Sequence, residues 1–137
     1  MIVVDTSALM AIVLDEPSAE GCRSVLLSDN DLALSAVTLA EALIVARRRG
    51  KGDEMQALIR GLPFEVAVVT QAQAQRAADV YDRWGKGIDP AGLNFADCFA
   101  YALARDLGCP LLFVGSDFAR TDVVPAPPSS DPPPSPF

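Results

Sequence analysis

The sequence predicts an α/β fold in which helices cover both faces of a mainly parallel central sheet. Short, mostly apolar runs recur at residues 2–4 (IVV), 32–34 (LAL), 65–69 (EVAVV) and 111–114 (LLFV), as expected of strands buried on both faces. Longer segments with helical spacing separate them, and alternation of this kind builds parallel sheets. The chain has 137 residues, half of them hydrophobic, which suits one domain with a sizeable core.

The elements follow in order. IVV leads through Asp5, a residue type that caps helices, into TSALMAIVLD. SAEGCRSVLLSD, after Pro17, reads as a second helix. LAL is the second strand, and TLAEALIVARRR a third helix, in which Thr38 and Glu41 have the spacing of a capping box. GDEMQALIRGL is a fourth helix, EVAVV a strand, and QAQAQRAADVYDRW a fifth helix. The Gly- and Pro-rich loop GKGIDPAGL (85–93) then delivers the chain to LNFADCFAYALA, where Asn94 can cap and Asp97 follows three residues later. LLFV is the last strand, and Asp117 in GSDF can cap a short final turn. The stretch VPAPPSSDPPPSPF holds seven of the eleven prolines and cannot supply helix interior or ladder donors. A folded domain over 1–124 and a disordered or polyproline tail over 125–137 are therefore expected.

Composition removes several chemistries. There is no histidine, which excludes Ser-His-Asp and Cys-His catalysis, His-ligated zinc and a histidine base. Three widely spaced cysteines without a CxxC pattern suggest neither a disulfide framework nor a thiolate zinc site. A formal charge of −7 argues against broad duplex binding, but not against a nucleic-acid enzyme whose acidic site is neutralised by metal. With no apolar run of membrane length and no signal-peptide pattern at MIVVDTSA, a soluble, cytoplasmic protein without membrane association is expected.

Four acids stand at strand-to-helix turns. Asp5 follows the first strand, Glu41 and Asp97 lie in first helical turns, and Asp117 follows the last strand. In a parallel sheet these turns share the carboxyl edge, where ligand sites of open sheets form. Each acid alone reads as a cap. Together they differ, because Asp5, Glu41 and Asp97 each interrupt a strongly apolar stretch, and like charges so gathered repel unless a cation joins them. Oxygen-only ligation favours Mg²⁺, with Mn²⁺ as the alternative. Such an ion can activate water and offset the charge that develops on an attacked phosphodiester, and the spacing leaves open whether one or two ions bind.

MIVVDTSALMAIVLDEP, SAVTLAEALIVARRR, GKGIDPAGLNFADCFAYALA and LLFVGSDFARTD, in this order over residues 1 to about 123, resemble PIN-domain nucleases, and among them VapC-type toxins of toxin–antitoxin pairs. The resemblance implies a PIN-like α/β/α sandwich and a Mg²⁺-dependent endoribonuclease. It implies Asp5, Glu41 and Asp97 as an acidic triad with Asp117 as the fourth acid. Thr6 or Ser7 would order the site, Asn94 would orient ligands from behind it, and Asp122 would help. An RNA substrate, a cognate antitoxin and a homodimer are implied as partners. Ala96, Ser116 and Ile88–Asp89 depart from the pattern, where Gly, an acid or Asn, and basic residues are commoner; the acids are intact.

RRRGK (47–51) is the dense basic run. Cations complement a helix C-terminus, and the same residues can seat RNA phosphates. Arg48, seven residues after Glu41, shares its helix face and is better placed than Arg47, Arg49 or Lys51. Lys86 is a further phosphate candidate. Two other readings compete: a phosphoacceptor receiver-type signalling domain, which lacks here its second acid after the first strand and its Lys after the last, and a non-catalytic PIN-like binding module.

Overall fold

The computed structural model describes residues 1–28 and 31–126. The proline-rich stretch from 127 onward lies outside the described residues. The elements are β1 (Ile2–Val4), α1 (Thr6–Val13), α2 (Ala19–Ser28), β2 (Leu32–Ser35), α3 (Ala36–Arg48), α4 (Gly52–Arg60), β3 (Phe64–Ala67), α5 (Gln71–Trp84), α6 (Phe95–Leu107), β4 (Leu111–Leu112) and a 3₁₀ turn (Phe118–Arg120). The strands form one sheet in the order β3-β2-β1-β4. Every pair is parallel, so the sheet goes beyond the mainly parallel arrangement expected from the sequence.

Period-two alternation sends neighbouring strand residues into different layers. Ile2, Val4, Leu32, Leu34 and Leu112 pack with Leu9, Ile12, Val25, Ala42 and Met55 of α1 to α4. Val3, Ala33 and Leu111 pack on the opposite face with Ala77 of α5 and Phe99, Ala100 and Leu103 of α6. These two apolar layers explain why β1, β2 and β4 read as continuous hydrophobic runs, and they make the α/β/α sandwich, whereas the edge strand β3 is not buried on both faces as expected. Among the described residues no helix is long and apolar enough to cross a membrane.

Several boundaries differ from expectation: β3 runs over Phe64–Ala67 instead of 65–69, leaving Val68 exposed beyond it, and β4 stops at Leu112 instead of 114. α3 begins at Ala36, capped by Ser35, whose hydroxyl accepts from the Val37 N–H at 3.2 Å. Thr38 is therefore inside the helix with its hydroxyl buried and unpartnered, the TLAE capping box does not form, and Glu41 sits in the second turn. Ser35 is an equally good cap three residues earlier, and the buried end of β2 leaves no room for a loop. At the other end, the Leu111 N–H donates to Val124 O and the Ala126 N–H to Leu111 O, both at 2.9 Å. The segment around Pro125 thus satisfies backbone groups on the open edge of β4.

Candidate active site

β2 and β3 lie on one side of β1 and β4 on the other, so the winding of the chain reverses between β1 and β4. The crevice beyond the carboxyl ends of the strands at such a reversal is where open parallel sheets hold ligands. Asp5 is the first residue past β1, and its N–H donates to Leu112 O of β4 at 2.9 Å. A cavity of about 250 Å³ opens there, lined by Asp5, Thr6, Ser7, Glu41, Asn94, Asp97 and Asp117, with Val45, Val114 and Phe118 as its apolar walls. All four acids singled out in the sequence come together in it, along with Thr6, Ser7 and Asn94.

Three of the acids are pinned through one oxygen. Asp5 Oδ2 accepts from the Ser7 N–H at 2.9 Å and the Ser7 hydroxyl at 2.6 Å. The same Ser7 oxygen accepts from the Val114 N–H at 3.0 Å, tying the start of α1 to the end of β4. The Thr6 hydroxyl donates to Glu41 Oε1 at 2.6 Å. Asn94 and Asp97 form a full capping box: Asp97 Oδ2 accepts from the Asn94 N–H at 2.9 Å, and Asn94 Oδ1 from the Asp97 N–H at 2.8 Å. The other oxygens, Asp5 Oδ1, Glu41 Oε2 and Asp97 Oδ1, accept no hydrogen bond among the described residues, and Asp5 Oδ1 is buried outright. Asp117, exposed at the rim, makes no side-chain cap bond to the turn it precedes.

The electrostatics follow from this crowding. Burial pushes the Asp5 carboxyl up to about 6, against the pull of the Ser7 hydrogen bonds, and the Glu41 charge adds to the rise. Asp97 is raised to about 7, first by burial and then by the charges of Asp5, Glu41 and Asp117. The acids feel one another across the cavity, as sequence reasoning required. Among the described residues no three of them are drawn into a ready-made ligand cluster. A hard ion such as Mg²⁺ keeps several of its waters, which can bridge it to carboxylates that do not touch it directly. A buried, unpartnered carboxylate oxygen and an all-oxygen donor set fit such an ion, so the residues present are compatible with it.

The remaining candidates lie elsewhere. Asp122 does not line the acidic cavity. It accepts a short hydrogen bond from the Tyr101 hydroxyl and pairs with Arg105 at 3.5 Å and Arg83 at 3.8 Å. Tyr101, one turn after Asp97, is buried and joins α6 to the segment that carries Asp117. Arg47 and Arg48 are exposed at the end of α3 and do not reach the cavity lining; the stem of Arg47 folds against Gly52 at the start of α4. Lys86 lines a separate, adjoining groove with Asn94 and Phe95. Phe95 drew no attention in the sequence, because in NFADCF it reads as one more core residue, yet it is 70% exposed.

A parallel sheet with this reversal and an acid-lined cavity at its carboxyl edge belongs to a known class, and residues 2–124 match the model of the PIN domain. The chain belongs to the PIN-domain family. Within that family it groups with the VapC ribonucleases: Ribonuclease VapC30 of Mycobacterium tuberculosis is 40% identical over 124 residues, covering 88% of this chain and 95% of that protein. Among solved structures the fold is similar to Mycobacterium tuberculosis VapC20, described as a toxin that cleaves the sarcin-ricin loop, with a TM-score of 0.77 at 20% identity over 93% of this chain and 99% of that one. A toxin–antitoxin complex from Klebsiella pneumoniae contains a chain similar at a TM-score of 0.68 and 19% identity, covering 93% of this chain and 98% of that one.

Proposed function

We propose that this protein is an endoribonuclease, the toxin of a toxin–antitoxin pair, which hydrolyses RNA phosphodiester bonds with Mg²⁺, or Mn²⁺, held by Asp5, Glu41, Asp97 and Asp117. The observation that carries the reading is the pinning of three acids by one oxygen each, which leaves Asp5 Oδ1, Glu41 Oε2 and Asp97 Oδ1 without protein partners around one cavity. A buried acceptor without a donor, as Asp5 Oδ1 is, is costly, and gathering four like charges around it adds repulsion. A divalent cation removes both penalties at once.

When bound, the ion supplies the Lewis acidity that lowers the pKa of water and offsets charge on the attacked phosphate. This chain's own residues do the rest. Ser7 and Thr6 fix the orientations of Asp5 and Glu41. Asn94 fixes Asp97 through the capping box. Asp117, which lines the cavity at its exposed rim, would accept a proton from attacking water or complete the ion's shell. The names of the relatives support RNA as the substrate, and the Klebsiella complex supports a cognate antitoxin. We extend the reading to a cytoplasmic homodimer on the strength of the family resemblance.

The test is cleavage of total RNA with Mg²⁺ by wild type beside Asp5→Asn and Glu41→Gln. Wild-type cleavage that EDTA stops, and that each variant loses by about 10- to 100-fold, is expected from the usual effect of disturbing a metal site. Cleavage that survives EDTA, or variants as active as wild type, refute the reading.

A further inference from the structure

A second, larger groove of about 560 Å³ opens beside the acidic cavity, and Asn94 lines both. It runs between α5 and α6, and its volume lies in the range of roughly 300 to 1,000 Å³ usual for small-molecule sites. Its mouth is built by an isolated pairing of Gly85 with Leu93. The Lys86 N–H donates to Leu93 O at 2.9 Å and the Leu93 N–H to Trp84 O at 3.0 Å. The next residues on the two segments, Lys86 on one and Asn94 and Phe95 on the other, therefore meet at the same opening.

Phe95 is 70% exposed. Its ring is nonetheless held, edge to face, by Phe99 with centroids 5.1 Å apart. Tyr81 forms the opposite wall, and its hydroxyl donates to Lys86 O at 3.1 Å, which fixes the lysine backbone. The Lys86 side chain makes no ion pair among the described residues, and the wall's acid is Asp82. An oriented, solvent-facing ring beside an unpaired ammonium, one residue from the acidic cavity, matches one nucleotide: a π-face for the base and a cation for its phosphate.

Resting on the ribonuclease reading, we propose that this groove is a base-holding subsite. The nucleobase next to the phosphate in the acidic cavity lies against Phe95, and Lys86 meets the adjoining phosphate. Phe95 and Lys86 are then substrate-positioning residues: Lys86 was already a phosphate candidate in the sequence, whereas Phe95 reads there as core.

The test measures binding of a short labelled single-stranded RNA by fluorescence polarisation, with Glu41→Gln in every protein so that the RNA stays whole. Phe95→Ala is expected to weaken binding by about 5- to 100-fold, the usual effect of losing one stacked base. Phe95→Tyr, which keeps a ring, restores it, and Phe95→Leu does not. In a series of RNAs each carrying one abasic position, one position is expected to cost the parent protein a similar factor and the Phe95→Ala protein nothing. Lys86→Ala should lower the slope of affinity against salt by about one.

Equal affinity of Phe95→Ala and its parent, or abasic losses of the same size in both, overturns the subsite while leaving the ribonuclease reading intact. A change from dimer to monomer in Phe95→Ala on sedimentation also overturns it, since the groove then belongs to a second copy. If the parent binds no RNA and wild type cleaves none, the ribonuclease reading falls and the subsite with it.

Discussion

Asp97→Asn removes one charge from the cavity and leaves the shape of the side chain. The capping bond from the Asn94 N–H to Asp97 Oδ2 can be accepted equally by an amide oxygen, so the helix start survives. In the folded protein the Asp97 carboxyl is raised from 3.8 to about 7 by burial and by the neighbouring acids. A carboxyl raised on folding favours the native state while protonated; its contribution is full below about pH 4 and is lost as pH climbs through 7. At about 1.4 kcal/mol per pH unit the rise from 3.8 to about 7 corresponds to roughly 4 kcal/mol. Because that rise is divided between burial and the charges of Asp5, Glu41 and Asp117, and Asp97 keeps some contact with solvent, about 1 to 3 kcal/mol is the part assignable to this one charge. For a domain of this size that is about 4 to 12 °C in Tm. Melting in EDTA followed by circular dichroism should therefore show the variant more stable than wild type at pH 8 and the two equal near pH 4. Added Mg²⁺ should raise the wild-type Tm at pH 8 and raise that of the variant much less. A stability difference independent of pH, or equal Mg²⁺ stabilisation of both proteins, would refute the account of Asp97 as a charge strained by its neighbours and relieved by metal.

Two further outcomes test the frame around the cavity. A Cβ on Gly85 would sit 2.7 Å from Tyr81 Cγ and press on the Tyr81 carbonyl oxygen, so Gly85→Ala should cost more than about 2 kcal/mol, read as a drop in denaturation midpoint, and should disturb RNA binding through Lys86. Tyr101→Phe deletes the hydrogen bond from α6 to Asp122. It should cost about 1 kcal/mol, since Asp122 is partly exposed, and should lower kcat more than it raises KM by loosening α6 against the loop that carries Asp117; a loss confined to KM would argue against that link.

The layered fold is legible in this sequence because it depends on patterns that local chemistry enforces. Continuous apolar runs such as IVV and LAL suit only strands buried on both faces, and Asp5 and Asn94 announce helix starts by the hydrogen bonds their side chains can make. Asp5, Glu41 and Asp97 could be named for a related reason, since a carboxylate inside MIVVD, LAEALIVA or NFADCFAYALA is costly to bury, and Asp117 by its place just after the last strand. Boundaries were less legible. Ser35 and Thr38 are both competent caps, and only the buried end of β2 decides for Ser35, which moves Glu41 into the second turn.

What the sequence determined by itself was the periodicity, the chemistry available and the edge of the sheet where it gathers. Only the tertiary structure decided how that edge is furnished. It gave Asp122 to Tyr101 and the arginines instead of to the cavity, tied Ser7 to Val114 across 107 positions, and turned Phe95 outward beside Lys86. Those outcomes depend on the direction in which each side chain leaves its element and on which loops meet at the reversal between β1 and β4. Contacts between residues far apart in the chain leave no local pattern, so a phenylalanine that stacks in the core and one that faces solvent are written with the same letter.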